Sequence, residues 1–306
     1  MDLTRRGFLK FSAAAGTIGV VSASKEASAW HKKPISPDWK GVLVDTTACI
    51  GCRRCEWACK DYNKLPNPPI ETYEDRSIFE KMRRPDAHGY TVVNRYDNPD
   101  APGNYNYVKV QCMQCNDAAC VSACIVGALT KDEKTGAVKY DPWKCIGCRY
   151  CMAACPFQIP AYDYHNALTP KVQKSTFCLE RINKYGGKPA CVEICPVEAM
   201  IFGKRTELLK IAHDRIRKYP DRYYDHVYGE HELGGTGWLY LSAKPMWEMD
   251  MIKFGERPIP SYTETIQHSL FKNFVPPLAL FGVLAGLMRI FKREEEQAIV
   301  AEGGDK

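Results

Sequence analysis

Fifteen cysteines stand in four runs whose spacing suits ligation of inorganic clusters. The first is Cys49-Ile-Gly-Cys52-Arg-Arg-Cys55-Glu-Trp-Ala-Cys59. The second is Cys112-Met-Gln-Cys115, then Cys120-Val-Ser-Ala-Cys124. The third is Cys145-Ile-Gly-Cys148-Arg-Tyr-Cys151-Met-Ala-Ala-Cys155-Pro156. The fourth is Cys178, then Cys191-Val-Glu-Ile-Cys195-Pro196. Three closely spaced thiolates on one loop can grip three irons of a cubane, and the next cysteine is carried off toward a neighbouring cluster. Zinc is held by two separated C-x2-C knuckles and has no use for a third cysteine two residues later. Disulfides suit an oxidising compartment, but fifteen is odd and neighbours three apart make poor bridges. Among the three chemistries open to so many cysteines, the spacing selects iron–sulfur.

The third run follows the bacterial ferredoxin pattern C-x2-C-x2-C-x3-C-P. On that pattern Cys155 is expected to start a helix, with Pro156 at a first-turn position that needs no N–H. Gly51 and Gly147 let backbone amides approach the sulfurs. The runs are internal repeats: residues 48–59 match 144–155, and Cys120–Cys124 matches Cys191–Cys195. Runs two and three are separated only by a hairpin-like stretch (128–131, then 136–140), which makes them one two-cluster unit. Its expected ligand sets are Cys112, Cys115, Cys120 and Cys155, and Cys145, Cys148, Cys151 and Cys124. Runs one and four then pair around it.

The elements that must position these runs are partly legible. Leu208, Leu209, Ala212 and Ile216 lie at helical spacing, so 204–218 reads as an amphipathic helix with Thr206 as a cap. Thr91-Val92-Val93 reads as a short strand. It lies in a turn-rich insertion, 61–106, that packs on the core or a partner. The length of 306 residues allows one or two compact domains. The formal charge of +6 treats the thiols as neutral; four clusters would remove roughly eight charges and leave the loaded protein mildly acidic. A nucleic-acid partner is therefore not expected.

Both ends read as addresses. Thr4-Arg5-Arg6-Gly7-Phe8-Leu9-Lys10, a mildly apolar stretch and Ala27-Ser28-Ala29 read as a twin-arginine export signal with cleavage near Trp30. Between Lys272 and Arg289 lies an uncharged run of roughly 24 Å as a helix, with Pro276-Pro277 in its first turn. It is expected to anchor the chain in a membrane. Arg289, Lys292 and Arg293 then put the C-terminus in the cytoplasm. No phosphate-binding glycine loop, H-E-x-x-H or nucleophile elbow occurs, and the seven histidines are scattered. His231-Glu232 reads as surface or packing, and Arg53-Arg54 and Arg149 as solvated or paired with cluster charge.

With these motifs the chain resembles the four-cluster ferredoxin-like subunits of dimethyl-sulfoxide-reductase-like and membrane-bound hydrogenase complexes. Tyr228-Gly229-Glu230, Gly234-Gly235-Thr236 and the tail from His268-Ser-Leu-Phe-Lys272 into Pro277-Leu278 narrow the likeness to subunits of hydrogenase-2-type uptake nickel–iron hydrogenases. The resemblance implies an α+β fold: tandem ferredoxin-like (2 × 4Fe–4S) units, an extended periphery and one C-terminal transmembrane helix. It divides the chain into a signal (1–29), a four-cluster domain (30–205), a periplasmic extension (206–267), an anchor (268–293) and a cytoplasmic tail (294–306). It implies crosswise outer sets too: Cys49, Cys52, Cys55 and Cys195 for one, and Cys59, Cys178, Cys191 and a cysteine at 175 for the other.

Position 175 is serine here, and Ile125 stands where the family has proline. At the Ser175 site three outcomes are open: a 3Fe–4S cluster on three cysteines, a 4Fe–4S cluster with serine or water as a weak fourth ligand, or an empty site. The expectation is three 4Fe–4S clusters and one 3Fe–4S. The implied function is a non-catalytic electron wire on the periplasmic side of the inner membrane. It would run between hydrogenase small and large subunits and an integral membrane quinone-interacting subunit. The alternatives are the same wire beside a molybdopterin subunit and a metal-binding scaffold without redox function.

Overall fold

The computed structural model describes residues 35–98, 105–164, 171–264 and 281–292. The chain divides into two units, Lys32–Pro260 and the two ends taken together. The first unit is built on a three-stranded sheet. Strand β1 (Lys40–Asp45) lies at its centre, and Val42, Leu43 and Val44 are buried. Such a continuous apolar run is what a strand covered on both faces requires.

Its neighbours come from far along the chain. Met200–Lys204 pairs with β1 antiparallel, and Trp238–Leu241 pairs with it parallel. Alternation along the strands splits the core in two. Leu43, Leu239 and Leu241 face the Arg205–Lys218 helix, which presents Leu208, Ala212 and Ile216 as one stripe. Each large side chain buried there contributes roughly 1.5–3 kcal/mol. Val42, Val44, Trp238 and Tyr240 face the other way, into the cluster that holds Cys55, Cys191, Met113 and Phe177. The sheet thus separates a supporting helix from the cysteine-bearing layer.

The Arg205–Lys218 helix begins as expected, but Thr206 is no cap. The N-cap is Lys204 with no side-chain cap, and the Thr206 hydroxyl donates to the Pro37 carbonyl at 3.2 Å. Buried Arg205 ties the helix to the Gly229–Thr236 loop by donating to the carbonyls of Thr236, Gly229 and Glu230.

Three two-stranded ladders complete the unit: β2 (Thr91–Asp97) with β3 (Tyr105–Gln111), β4 (Leu129–Lys131) with β5 (Val138–Tyr140), and β6 (Ala161–Asp163) with β7 (Lys171–Gln173). The β4–β5 pair is the hairpin expected between runs two and three. The 61–106 segment docks on run one: Glu56 accepts from Arg83 at 2.6 and 3.0 Å and from the Val93 N–H at 2.7 Å.

The expected C-terminal transmembrane helix is corrected. Among the described residues, no helix is long and apolar enough to cross a membrane. Residues 281–292 are helical, but at about 1.5 Å per residue they rise roughly 18 Å against a hydrocarbon core of about 30 Å. Arg289 and Lys292 lie within that stretch. The rest of the expected anchor, the export signal and the C-terminal tail lie outside the described residues.

Candidate iron–sulfur sites

All fifteen cysteines are free thiols. Short helices carry five of them. Cys55 and Cys59 sit one turn apart on the Arg54–Tyr62 helix, Cys120 on Ala119–Ser122, Cys151 on Tyr150–Ala154 and Cys191 on Ala190–Glu193. The Arg54–Tyr62 helix packs against Ala190–Glu193, and Ala119–Ser122 packs against Tyr150–Ala154. Run one therefore meets run four, and run two meets run three. Cys155 does not start a helix. It ends the Tyr150–Ala154 helix, with ψ at 112°, because a following proline drives its neighbour out of the helical region.

The loops share one backbone device. In Cys49–Cys52, Cys112–Cys115, Cys145–Cys148 and Ser175–Cys178, the third residue is left-handed: Gly51 (φ 67°), Gln114 (52°), Gly147 (71°) and Phe177 (57°). That turn aims a backbone N–H at the first ligand. The Gly51 N–H bonds the Cys49 sulfur, and the Phe177 N–H donates to Ser175 Oγ at 3.3 Å. Ser175 is buried, and its hydroxyl occupies in its loop the place the Cys49 sulfur occupies in the first.

A left-handed non-glycine costs roughly 1–2 kcal/mol, so Gln114 and Phe177 must be held. Gln114 donates to the Ser175 carbonyl at 3.0 Å and accepts from the Val138 N–H at 2.8 Å. Phe177 is clamped edge-on between Phe202 and Trp238.

The structure brings Cys49, Cys52, Cys55 and Cys195 around one cavity of about 420 Å³, a volume that includes space open to solvent. Among the described residues, no three His, Cys, Asp or Glu side chains converge on a single ion, as a zinc site with sulfurs about 2.3 Å from its centre would require. A donor set of four thiols around a cavity fits a cluster.

The other groupings show in how the thiols perturb one another. Burial pushes Cys59 up to about 12, with Cys191 and Cys178 adding to the rise. Burial raises Cys115 well above its usual range, with Cys112, Cys155 and Cys120 adding. It pushes Cys151 up to about 11, with Cys145, Cys148 and Cys124 adding. Thiols raised in this way hold their protons until a metal displaces them. Backbone N–H groups are already aimed at some sulfurs: Ala128 and Leu129 at Cys124 (3.2 and 3.4 Å), and Ala190 at Cys178 (3.5 Å).

The thiol groupings adjoin one another. Cys120 senses Cys151, the loops at Gln114 and Ser175 are hydrogen-bonded, and Cys55 senses Cys191.

Arg53 is buried, bonding the Tyr73 and Asp75 carbonyls and Glu56. Glu232 is buried against His226 at 2.6 Å. Two buried lysines, Lys109 and Lys174, and half-buried Lys131 escaped the sequence reading. Lys131 donates to the Cys115 carbonyl at 2.7 Å, and burial pushes it down to about 8 while the Cys115, Cys112 and Cys120 thiols oppose the fall. Lys174 donates to the Val138 carbonyl at 2.6 Å. Lys109 stands between Val108 and Val110 in β3. A lysine inside a valine-flanked strand was the one available signal.

Fold and site together define an iron–sulfur protein of the multi-cluster ferredoxin type. Residues 103–205 match the family model described as a 4Fe-4S dicluster domain. The chain is 36% identical to the Hydrogenase-2 operon protein HybA of Escherichia coli O157:H7, over 99% of each chain. It is 48% identical to a protein of Nitratidesulfovibrio vulgaris (strain Hildenborough), over 85% of this chain and 70% of that one. It is 32% identical to the nitrate-inducible formate dehydrogenase iron-sulfur subunit of Escherichia coli K12, over 79% of this chain and 80% of that one. The chain belongs to this family of iron–sulfur subunits.

Proposed function

We propose that the chain is a one-electron relay within an oxidoreductase complex, with a hydrogenase as its catalytic partner and a quinone-interacting membrane subunit on its other side. The observation that supports this reading is the packing of run one against run four and of run two against run three, with the two halves joined where Gln114 bonds the Ser175 carbonyl. When bound there, iron–sulfur clusters supply reversible one-electron redox chemistry. The near end-to-end likeness to HybA supports the hydrogenase partner.

The chain's own residues hold and tune the sites. Cys49, Cys52, Cys55 and Cys195 form one donor set, and Cys112, Cys115, Cys120 and Cys155 a second. Cys145, Cys148, Cys151 and Cys124 form a third, and Cys59, Cys178 and Cys191 the fourth with Ser175 beside them. The serine hydroxyl is a harder, less acidic donor than a thiol, so the fourth site takes a 3Fe–4S cluster and the others 4Fe–4S. Cys148 is exposed beside exposed Trp143, Ile146 and Tyr150. That site is open to a partner. The chain has no substrate site of its own. The Arg5-Arg6 signal supports export by the twin-arginine route to the periplasmic side of the membrane.

A second reading keeps the relay and changes the partner to a molybdopterin subunit. The likeness to formate dehydrogenase iron–sulfur subunits favours it. Affinity purification of the full chain in mild detergent, followed by metal analysis, separates the two. Nickel in stoichiometric amount is expected; molybdenum without nickel would overturn the hydrogenase assignment.

A further inference from the structure

Lys109 is about 3% exposed, and its ammonium is locked in place. Nζ donates to Gln111 Oε1 at 2.9 Å and lies 4.4 Å from the centre of the Trp238 ring. Gln111 in turn donates to the Tyr240 hydroxyl at 2.5 Å, and that hydroxyl donates back to the Lys109 carbonyl at 2.7 Å. Among the described residues, no carboxylate pairs with the ammonium. The nearby buried guanidinium of Arg53 and the neighbouring Arg83 both have Glu56. A buried ammonium without a counter-charge is expensive, so its partner has to be sought elsewhere.

The position supplies one. Lys109 lines the cavity formed by Cys49, Cys52, Cys55 and Cys195. A loaded cluster with its thiolates carries net negative charge.

We propose that Lys109 is the counter-charge of the cluster site formed by Cys49, Cys52, Cys55 and Cys195 and holds its reduction potential up. The sign follows from charge. Adding an electron to a cluster is favoured by a fixed positive neighbour, so removing that neighbour lowers the potential. The other sites have cations of their own: Lys131 donates to the Cys115 carbonyl at 2.7 Å, and Lys174 donates to the Ser175 carbonyl at 3.3 Å. This inference rests on the proposed donor sets. Iron and labile-sulfide analysis of the wild type tests those sets separately.

The experiment is a potentiometric EPR titration of the full, cluster-loaded chain as wild type, K109M, K109Q and K109R. In K109M and K109Q the cluster on Cys49, Cys52, Cys55 and Cys195 should become about tenfold harder to reduce, a downward shift of about 59 mV for one electron. The other clusters should move less, and K109R should resemble wild type. An unchanged potential for that cluster, or an equal shift of all of them, would overturn the proposal. Loss of that cluster in both neutral variants with retention in K109R would also overturn it, since Lys109 would then serve assembly.

Discussion

Replacing Ser175 by cysteine should convert the altered site into a fourth cubane. The Ser175–Cys178 loop already has the geometry of a ligand loop: Phe177 is left-handed, and its N–H points at the side-chain atom of residue 175. The swap therefore changes the donor atom and leaves the backbone alone. With Ser175 in place, the donor sets predict about 15 irons and about 16 labile sulfides per chain; S175C gains about one iron and no sulfide. Spectroscopy reads this more sharply than analysis. Oxidised wild type should show a 3Fe signal of about one spin per chain, and S175C should lose it and gain a fourth 4Fe signal on reduction. S175A serves as the control. It removes the acceptor of the Phe177 N–H, at about 0.5–1.5 kcal/mol, and should keep the 3Fe signal. Four 4Fe signals in the wild type, or a 3Fe signal that survives S175C, would refute the reasoning.

C195A removes a thiol that lies in run four but lines the run-one cavity. It should perturb the cluster held by Cys49, Cys52 and Cys55 and spare the one on Cys59, Cys178 and Cys191, as EPR of the two signals would show. G51A places a Cβ 2.3 Å from the Tyr107 ring at a φ of +67°. Strain of roughly 1–2 kcal/mol from the backbone alone adds to the clash, so about four irons should be lost. His226 is raised above 6.5 by its hydrogen bond to Glu232, with burial opposing. Burial pushes Glu232 up, but hydrogen bonds from His226 and backbone N–H groups outweigh it and hold the group below 4.5. The pair's stabilisation is therefore full between pH 4.5 and 6.5. It fades as pH rises through the raised histidine value and as pH falls through the lowered glutamate value. H226A should lower the melting temperature most near the middle of that window, and the gap should narrow at alkaline pH.

The chemistry was legible because it is local. Three cysteines within seven residues must share a loop, and the repeat shows which loops are equivalent. The 204–218 helix and the 128–140 hairpin were also legible, since each is written in a period or a turn signal. Long-range pairing left no such trace. Nothing in Trp238–Leu241 announces that it lies parallel to Lys40–Asp45. The Thr91–Val93 strand runs to Asp97 because it finds a partner at Tyr105–Gln111, and a partner is invisible to local pattern. Lys109 was missed for the same reason, since its role depends on which cavity β3 borders. The transmembrane expectation failed on length and charge: the described helical stretch is short and includes Arg289 and Lys292.

The most direct test of four crosswise iron–sulfur sites on this chain is combined iron, labile-sulfide and EPR analysis of the anaerobically purified protein through one cycle of reduction and reoxidation. The expected result is about 15 irons and about 16 sulfides per chain, four distinguishable clusters, and full recovery of the oxidised spectrum. Zinc in place of iron, no acid-labile sulfide, or iron sufficient for only two clusters would contradict it.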